Sequence, residues 1–379
     1  MSAPRRIPIA ALALSLLAAA SCSSRDGPLD QRLAAALEAR LRRYGVRGAS
    51  AAVILPDRSI HRVVAGFSHD SVPIRPDMLF AVGSITKNYV ATLVLRLAEE
   101  GVLSLDDPLS RWLPAYPRVD GRVTIRQALS HRSGIAMFWD NQRLWDDLKA
   151  HRDSAFTPEV VLGYIGEPDF APDSGFRYSN TNFLLLAMIA TRATRSTLSG
   201  QLRERFWGPL ALAGTYLSME DTIPRDRLAH VWGDNFENDG ADRDLTFLPR
   251  TSHETITWGS GGVFTTAEEL ARWSHALFHG ELISRASLER MREFRPAGRG
   301  LSGRYGLGLQ EFPRRLTGGV PALGHSGGNI GTSAYVAYLP DHDVSIALMI
   351  NRMHGRCQDA MLRDIIGMVV AYLREAGRT

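Results

Sequence analysis

Residues 81–90 read AVGSITKNYV, and this stretch decides how the rest of the chain must be arranged. An apolar-periodic segment follows, so we expect Ser84 to open a helix, where its hydroxyl meets the positive end of the helix dipole. Lys87 lies three residues on and therefore on the same helix face, with about 5–6 Å between the two Cβ atoms. A hydroxyl needs a base to become a nucleophile, and an amine with a lowered pKa can serve. The pair therefore predicts nucleophilic catalysis.

The alternative interpretation of this pair is a helix cap followed by a solvated lysine, and the composition argues against it. The chain has two lysines, Lys87 and Lys149, and 42 arginines, so arginine is its usual cation. A guanidinium cannot lose its proton in a protein, whereas an ammonium can. A lysine at position 87 therefore indicates that a titratable group is needed there.

Length, charge and cysteine content narrow the classes of function. The chain has 379 residues, a length that is ample for a large hydrophobic core, and a formal charge of +4. Its basic residues are scattered, and the densest pairs are only Arg42-Arg43 and Arg314-Arg315, so nucleic-acid binding gains no support. Because Cys22 and Cys357 are the only two cysteines, no framework of disulfides is possible.

The N-terminus has the pattern of an export signal. Two arginines precede an apolar run, residues 7–20, that is too short to span a bilayer and ends in small residues. Residues 17–22, LAAASC, resemble the lipobox of bacterial lipoproteins, which implies cleavage before Cys22 and a lipid anchor on it. By the same resemblance, Ser23 implies sorting to the outer membrane, on the periplasmic side of the cell envelope. The alternative is ordinary cleavage near Ala20, which leaves a stray thiol.

Hydrophobic periodicity predicts strands near both ends of the chain and helices between them. The predicted strands are residues 49–55, 60–65, 305–309, 333–339 and 344–350. The predicted helices, besides the one at Ser84, are residues 30–44, 123–129, 183–189, 266–278 and 359–376. We expect the first two strands to form a hairpin at an exposed edge.

This order predicts an α/β (α+β) fold with one antiparallel sheet assembled from both chain ends and an inserted helical lobe. The expected organisation is a signal peptide (1–21), a tether (22–30) and a single domain (31–379). Within that domain the sheet lobe takes about 31–80 and 255–379, and the helical lobe about 81–254. A cleft between the lobes is the expected site.

Three motifs follow one another along the chain: Ser84-x-x-Lys87, Tyr178-Ser179-Asn180 and His325-Ser326-Gly327. Their order resembles the serine β-lactamase and DD-peptidase superfamily, and specifically its class C-like branch, whose second motif is Tyr-x-Asn. Residues 105–108 (LDDP), 129–134 (LSHRSG) and 261–266 (GGVFTT) are also similar to that branch. The resemblance covers roughly residues 30–370. It implies a β-lactamase/transpeptidase-like fold and a serine hydrolase that forms an acyl-enzyme, with no cofactor and no metal.

The resemblance also implies a role for each motif residue. Ser84 would be the acylated nucleophile and Lys87 its hydrogen-bonded partner. Tyr178 would be favoured as a phenolate by the positive charge of Lys87 and would act as general base. Asn180 would hold Lys87 and the substrate amide, and His325 stands where many members have a lysine.

The strand that carries His325 would also supply Ser326, Gly327 and Gly328, and the Gly328 N–H would form an oxyanion hole with the N–H of Ser84. A histidine near neutral pH is only partly charged, so it is a weaker anchor than lysine for a substrate carboxylate. This departure argues against efficient β-lactam hydrolysis. D-alanyl peptides, esters and β-lactams all remain candidate substrates, and the oligomeric state is left open.

Each motif residue also has a structural alternative. Tyr178 could be a half-buried aromatic with a wet hydroxyl, Asn180 a helix cap, and His325 a turn residue. Their joint occurrence in one order favours the catalytic interpretation.

Three rival functions use other features. Residues 324–328, GHSGG, fit the nucleophile elbow of α/β-hydrolases, although a strand-like segment rather than a helix follows. His275 and His279 have the i, i+4 spacing of zinc ligands but lack an evident third ligand, which favours two solvated histidines on an amphipathic helix. The last rival is a non-catalytic lipoprotein that keeps the fold as a binding or sensor module, and the presence of Lys87 and Tyr178 argues against it.

Overall fold

The structure is a computed structural model that describes residues 28–234, 241–298, 301 and 303–377. The predicted signal segment (1–21) and Cys22 lie outside these residues. In the described part of the chain, no helix combines the length and the apolar character needed to cross a bilayer.

The described residues form helices and strands in the predicted order, with the long strands near both ends of the chain and most helices between them. The α-helices are α1 (Leu29–Tyr44), α2 (Thr86–Glu99), α3 (Ile125–Leu129), α4 (Gln142–Ala150), α5 (Pro158–Leu162), α6 (Asn180–Thr194), α7 (Leu198–Leu202), α8 (Thr251–Gly261), α9 (Ala267–Phe278), α10 (Arg285–Met291), α11 (Arg314–Thr317) and α12 (Gly355–Glu375). The strands are β1 (Gly48–Ile54), β2 (Ile60–His69), β3 (Val72–Pro73), β4 (Phe80–Ala81), β5 (Tyr216–Leu217), β6 (Trp232–Gly233), β7 (Arg243–Asp244), β8 (Val263–Thr265), β9 (Arg295–Pro296), β10 (Arg304–Tyr305), β11 (Gln310–Glu311), β12 (Leu323–Asn329), β13 (Thr332–Leu339) and β14 (Val344–Ile350). Single 3-10 turns occur at Gly83–Ile85, Leu109–Arg111, Phe138–Asp140 and Arg225–Arg227, and Arg203–Trp207 is a π-turn.

One antiparallel sheet built from both chain ends organises the molecule, as predicted. Its strand order is β3-β2-β1-β14-β13-β12-β11-β10-β9. The first and last thirds of the chain meet where β1 pairs with β14, with Ala49 opposite Ile350. The helices α1 and α12 pack on one face through leucine and isoleucine side chains, and α9 packs with the helical region on the other. The predicted α/β fold is therefore confirmed.

The predicted hairpin of the first two strands is confirmed, whereas one predicted strand differs from the structure. β1 and β2 pair antiparallel at one side of the sheet, where only the two-residue β3 lies outside β2, and β1 itself is buried between β2 and β14. The predicted strand 305–309 is instead the pair β10 and β11, separated by a turn at Gly308. Gly308 has φ +67° there, and a Cβ on it would lie 2.2 Å from the Cβ of Ala91. The turn therefore packs directly against α2, which a continuous strand could not do.

Helix α2 runs through the centre of the helical region and is buried on almost every side. Tyr89 stacks on Trp273 of α9 with ring centroids 4.1 Å apart. The Trp273 indole donates to the Asn88 side-chain oxygen at 2.8 Å, and the Asn88 amide donates to the Gly308 carbonyl at 3.2 Å. These buried hydrogen bonds fix the helix that begins two residues after Ser84.

Backbone contacts place the Ser84 turn against strand β12. Gly83 has φ +52°, and a Cβ on it would lie 2.1 Å from the carbonyl oxygen of Gly328. A Cβ on Gly327 would lie 1.9 Å from the carbonyl oxygen of Val82. Only glycine permits both approaches, so the 3-10 turn and β12 touch through their main chains.

Gly83→Ala tests this contact. We expect a loss of roughly 2–4 kcal/mol in the free energy of unfolding, because the variant combines left-handed backbone strain with a main-chain clash. We also expect loss of Ser84 reactivity, since the turn would move away from Gly328. Urea denaturation and labelling by an activated-serine probe measure the two effects.

The matched control is Gly355→Ala, because Gly355 is helical and a Cβ on it meets nothing within 4 Å. A Gly83→Ala protein as stable and as reactive as the control would contradict the close approach.

Candidate active site

Ser84 and Lys87 lie together at the start of α2. The Lys87 Nζ is 3.0 Å from the Ser84 Oγ and donates a second hydrogen bond, 2.8 Å long, to the carbonyl of Ser260. Lys87 is fully buried, with 0% of its surface exposed. The alternative of a solvated lysine is therefore wrong, and the sequence-based pairing of the two side chains is confirmed.

The Ser260 carbonyl is a partner that the sequence did not reveal. It belongs to α8, whose backbone departs from helical geometry at Trp258. Ser260 is the second-last residue of α8, so its carbonyl is one that the helix leaves without an internal partner, and it accepts the hydrogen bond from Lys87. A kink of this kind has no reliable signal in the sequence, although the glycines of residues 259–262 mark the spot.

Burial sets the protonation state of Lys87. Removal from water lowers the pKa of the Lys87 amine well below its ordinary value. No carboxylate among the described residues forms an ion pair with it. The neutral amine is therefore favoured, and its lone pair can accept the Ser84 proton while an N–H remains on the Ser260 carbonyl.

Tyr178 lies beside this pair, as predicted. The Lys87 Nζ is 4.9 Å from the centroid of the Tyr178 ring. The phenol oxygen is buried and makes no hydrogen bond of normal geometry within the described residues. It lies near enough to Ser84 for that hydroxyl to lower its pKa slightly, but burial is the larger effect and raises the pKa well above the usual value.

Burial therefore disfavours the expected phenolate in the unliganded site, and the role of Tyr178 as general base stays a prediction. A phenolate at Tyr178 would need a positive charge nearby, and the same burial that opposes ionisation of the phenol also removes the charge from Lys87. Tyr178 consequently keeps its proton.

Asn180 opens α6 but does not contact Lys87 by a hydrogen bond. Its backbone N–H points to the Met137 sulfur at 3.0 Å, and its side chain does not cap the helix. The Asn180 Oδ1 is buried and has no partner in the described part of the chain. The predicted hydrogen bond to Lys87 is therefore wrong, because Lys87 donates to the Ser260 carbonyl instead. The helix-cap alternative is wrong as well. The unpaired oxygen is available to a ligand.

His325 is a residue of strand β12, and its side chain is fully buried. Its Nδ1 is 2.6 Å from the Ser326 carbonyl, so that nitrogen must carry the proton, and its Nε2 accepts from the Tyr305 hydroxyl at 3.0 Å. Burial, and secondarily Lys87, lower the pKa of His325 to about 3. The expectation of a partly charged anchor for a carboxylate is therefore wrong, because the ring is neutral and both of its nitrogens are occupied. The turn alternative is also wrong.

The remaining strand residues lie where the resemblance implied. Gly327 and Gly328 contact the Ser84 turn through main-chain atoms, and Gly328 lines the same cavity as Ser84. The Ser326 hydroxyl donates to the Gln310 side chain at 3.3 Å. Because β12 continues through a tight turn into β13 and not into a helix, the nucleophile-elbow alternative is wrong.

His131 is a supporting residue whose role the sequence did not show. Its Nδ1 accepts from the Ser179 backbone N–H and from the Asn182 amide, both at 3.2 Å, so the proton lies on Nε2. The ring is buried and its centroid is 4.4 Å from that of Tyr178. The LSHRSG phrase was the only signal, and His131 fixes the position of the phenol by packing.

The cavity above Ser84 has a volume of about 270 Å³ and an uncharged lining. Trp139 and Trp145 form an aromatic wall with ring centroids 4.5 Å apart. His253 adjoins them, and burial lowers its pKa to about 3, so it is neutral as well. A larger surface cavity of about 700 Å³ lies beside α1 and β2 and contains none of the motif residues. The chemistry therefore places the site at the smaller cavity.

Comparisons with known proteins agree with this geometry. The family model described as Beta-lactamase matches residues 33–367. Penicillin-binding protein 4* of Bacillus subtilis (strain 168) is 29% identical over 300 residues, which cover 74% of this chain and 62% of the relative. Esterase EstB of Burkholderia gladioli is 33% identical over 199 residues, which cover 48% of this chain and 50% of the relative. The matched part of the chain thus spans less than two thirds of the length of these two curated relatives.

A solved structure matches over nearly its whole length. The D-stereospecific amidohydrolase from a Streptomyces species is 28% identical, with a TM-score of 0.77, and the match covers 90% of this chain and 99% of that one. The predicted β-lactamase/transpeptidase-like fold is confirmed by this match.

Replacement of the buried amine by an apolar side chain tests its protonation state. Below the ordinary lysine pKa of 10.5 the unfolded wild type binds a proton that the folded state excludes, so wild-type stability falls as the pH falls towards the native pKa of Lys87. Lys87→Met removes this dependence. Its free energy of unfolding relative to wild type should rise by roughly 1 kcal/mol for each pH unit lowered through that window. Activity should fall about 10²–10⁴-fold.

Urea denaturation between pH 7 and 10 measures this difference. Lys149→Met is the matched control, since Lys149 is exposed and should show no such trend. A stability difference between Lys87→Met and wild type that is independent of pH would mean that Lys87 is charged in the native state.

Proposed function

Because the chain belongs to the beta-lactamase family of serine hydrolases, we propose that it hydrolyses amides or esters that carry no charge on either side of the scissile bond and whose acyl part is apolar. The acyl group is transferred to Ser84 and then to water. An amide of an N-acylated D-amino acid with an aromatic side chain is the substrate class that fits the cavity best. The single observation that carries the proposal is the fully buried amine of Lys87, which lies 3.0 Å from the Ser84 hydroxyl and has no ion-pair partner among the described residues.

Acylation begins with the neutral Lys87. Its lone pair takes the Ser84 proton as the Ser84 oxygen forms a bond to the substrate carbonyl carbon. The carbonyl electron pair moves onto oxygen, and the oxyanion is received by the backbone N–H groups of Ser84 and Gly328. Lys87 is now an ammonium, stabilised by the Ser260 carbonyl.

Tyr178 completes the proton path as an acid. Its hydroxyl gives a proton to the leaving nitrogen or oxygen and is reprotonated by the Lys87 ammonium as the bond to the leaving group breaks. Lys87 is then neutral again and removes a proton from the water that attacks the acyl-enzyme carbonyl. As the second tetrahedral intermediate collapses, the bond between the acyl carbon and the Ser84 oxygen breaks, Lys87 returns the proton to that oxygen, and the acid is released. The raised pKa of Tyr178 supports this role, because a protonated phenol is needed at that moment.

The lining of the cavity supports the choice of substrate. His325 is neutral and buried, and the described residues that line the cavity include no cation. A substrate carboxylate would have to leave water without a partner, which is unfavourable. Trp139 and Trp145 offer apolar surface to an aromatic side chain, and the unpaired Asn180 Oδ1 can accept a hydrogen bond from a substrate amide N–H.

The comparisons support an amide or ester and the D configuration. One relative is named an esterase and one solved neighbour a D-stereospecific amidohydrolase. A D-alanyl carboxypeptidase requires a free carboxylate, which the cavity does not favour, so that activity and β-lactam turnover rank lower. The non-catalytic binding module finds no support in the comparisons or in the Lys87 environment.

A matched pair of substrates tests the uncharged cavity. N-acetyl-D-phenylalanyl-glycinamide should be cleaved with a kcat/KM at least about tenfold higher than N-acetyl-D-phenylalanyl-glycine, a difference of about 1.4 kcal/mol in transition-state binding. The two differ only in the carboxylate, and the corresponding L-phenylalanyl pair tests stereochemistry. Preferred cleavage of the free acid would contradict the proposal.

The assignment of the nucleophile has its own control. Ser84→Ala should lose labelling by a fluorophosphonate and all turnover, whereas Ser326→Ala should keep the labelling. Retained labelling of Ser84→Ala would overturn the mechanism.

We also propose that Cys22 carries a lipid anchor and that the protein resides in the bacterial cell envelope. The support is the LAAASC sequence behind an arginine-flanked apolar run. Metabolic labelling with radioactive palmitate should mark the full-length protein and not Cys22→Ser. Equal labelling of both proteins, or of neither, would rule out the anchor.

A further inference from the structure

A second cluster of functional side chains lies at the end of α9. His275 is in the last turn of that helix, His279 directly follows it, and Asp343 is in the turn between β13 and β14. One potential ligand atom from each residue lies within 4.8 Å of the other two. The His279 Nε2 is 2.8 Å from the Asp343 Oδ1, and the two imidazole centroids are 4.0 Å apart.

His275 makes this cluster more than a surface ion pair. Both of its ring nitrogens are buried, and neither has a hydrogen-bond partner among the described residues. His275 is partly buried, but ring nitrogens that are shielded from solvent normally have a partner, so this orphaned pair can accept a ligand. The expectation of two solvated histidines is therefore wrong for His275. The third potential ligand, which the sequence did not reveal, is Asp343, 64 residues from His279 in the sequence.

We propose that His275, His279 and Asp343 bind a divalent transition-metal ion, with Zn²⁺ the first choice. Two imidazoles and one carboxylate are a common donor set for this ion, with water completing the tetrahedron. Metal–ligand distances of about 2.0–2.2 Å place ligand atoms roughly 3.3–3.6 Å apart, so the widest separation in the cluster, up to 4.8 Å, must close by about 1.2–1.5 Å when the ion binds.

The surroundings suit a cation at this point. The Tyr338 hydroxyl donates to the Asp343 Oδ1 at 3.0 Å and orients the carboxylate, as outer partners of metal ligands do. Glu281 adds negative charge nearby, while Arg58 opposes the cation.

The location indicates a structural ion that is separate from the reaction. Tyr338 pairs with Leu323 at the start of β12, whereas Gly328 near its other end lies against the Ser84 turn. At about 3.3 Å per strand residue the two sites are on the order of 15–20 Å apart. The ion would join α9 to the β13–β14 turn and clamp the helix to the sheet.

Titration of full-length protein, purified without a histidine tag and freed of metal, tests the proposal. Zn²⁺ should bind with one equivalent by calorimetry, and Co²⁺ should give the visible absorption of a tetrahedral site. His275→Gln and Asp343→Asn should weaken binding more than about 100-fold, and Tyr338→Phe about 10–100-fold. His342→Gln, in the same turn but outside the cluster, should bind as wild type does.

Saturable binding that is lost in the ligand variants supports the site. No one-equivalent binding to the wild type, or equal binding by wild type and His275→Gln, overturns it. Circular dichroism and fluorophosphonate labelling of Ser84 establish that each variant is folded. Because Ser84→Ala should still bind the metal, the outcome does not depend on the proposed hydrolase activity.

Discussion

The burial of one amine without a counter-charge is the constraint on which the rest of the structure depends. An ammonium at position 87 would be costly in this interior, so the fold holds Lys87 as a neutral base in contact with the Ser84 hydroxyl. Among the described residues, Lys87 donates hydrogen bonds to the Ser260 carbonyl and to Ser84. A protonated Lys87 is unfavourable in this interior, so the proton taken from Ser84 is readily passed on to the leaving group.

The fold supplies this environment by bringing distant parts of the chain into main-chain contact. The turn at Gly83 and the strand at Gly327 and Gly328 come from opposite ends of the sequence, and only residues without a Cβ allow them to touch. The same contact brings Gly328, whose N–H is proposed to receive the oxyanion together with that of Ser84, against the turn that carries the nucleophile. A substitution that separates these main-chain segments would therefore both destabilise the fold and impair the site.

The sequence predicted the architecture and the Ser84–Lys87 pair well, because periodicity and i, i+3 spacing are local signals. It failed where an answer depended on burial or on contacts across the chain. The charge states expected for Tyr178 and His325 are disfavoured because desolvation outweighs neighbouring charge, and burial is set by the whole fold. Asp343 could not be linked to two histidines on a distant helix, since only the turn between β13 and β14 brings it there.

The most direct test of the account is the titration of Lys87 itself. The chain contains two lysines, so lysine labelled with ¹³C at Cε gives two NMR signals, and the exposed Lys149 serves as the internal reference. We expect the Lys87 signal to have the chemical shift of a neutral amine at pH values well below 10.5. A Lys87 signal that keeps the chemical shift of an ammonium up to that pH would contradict the account.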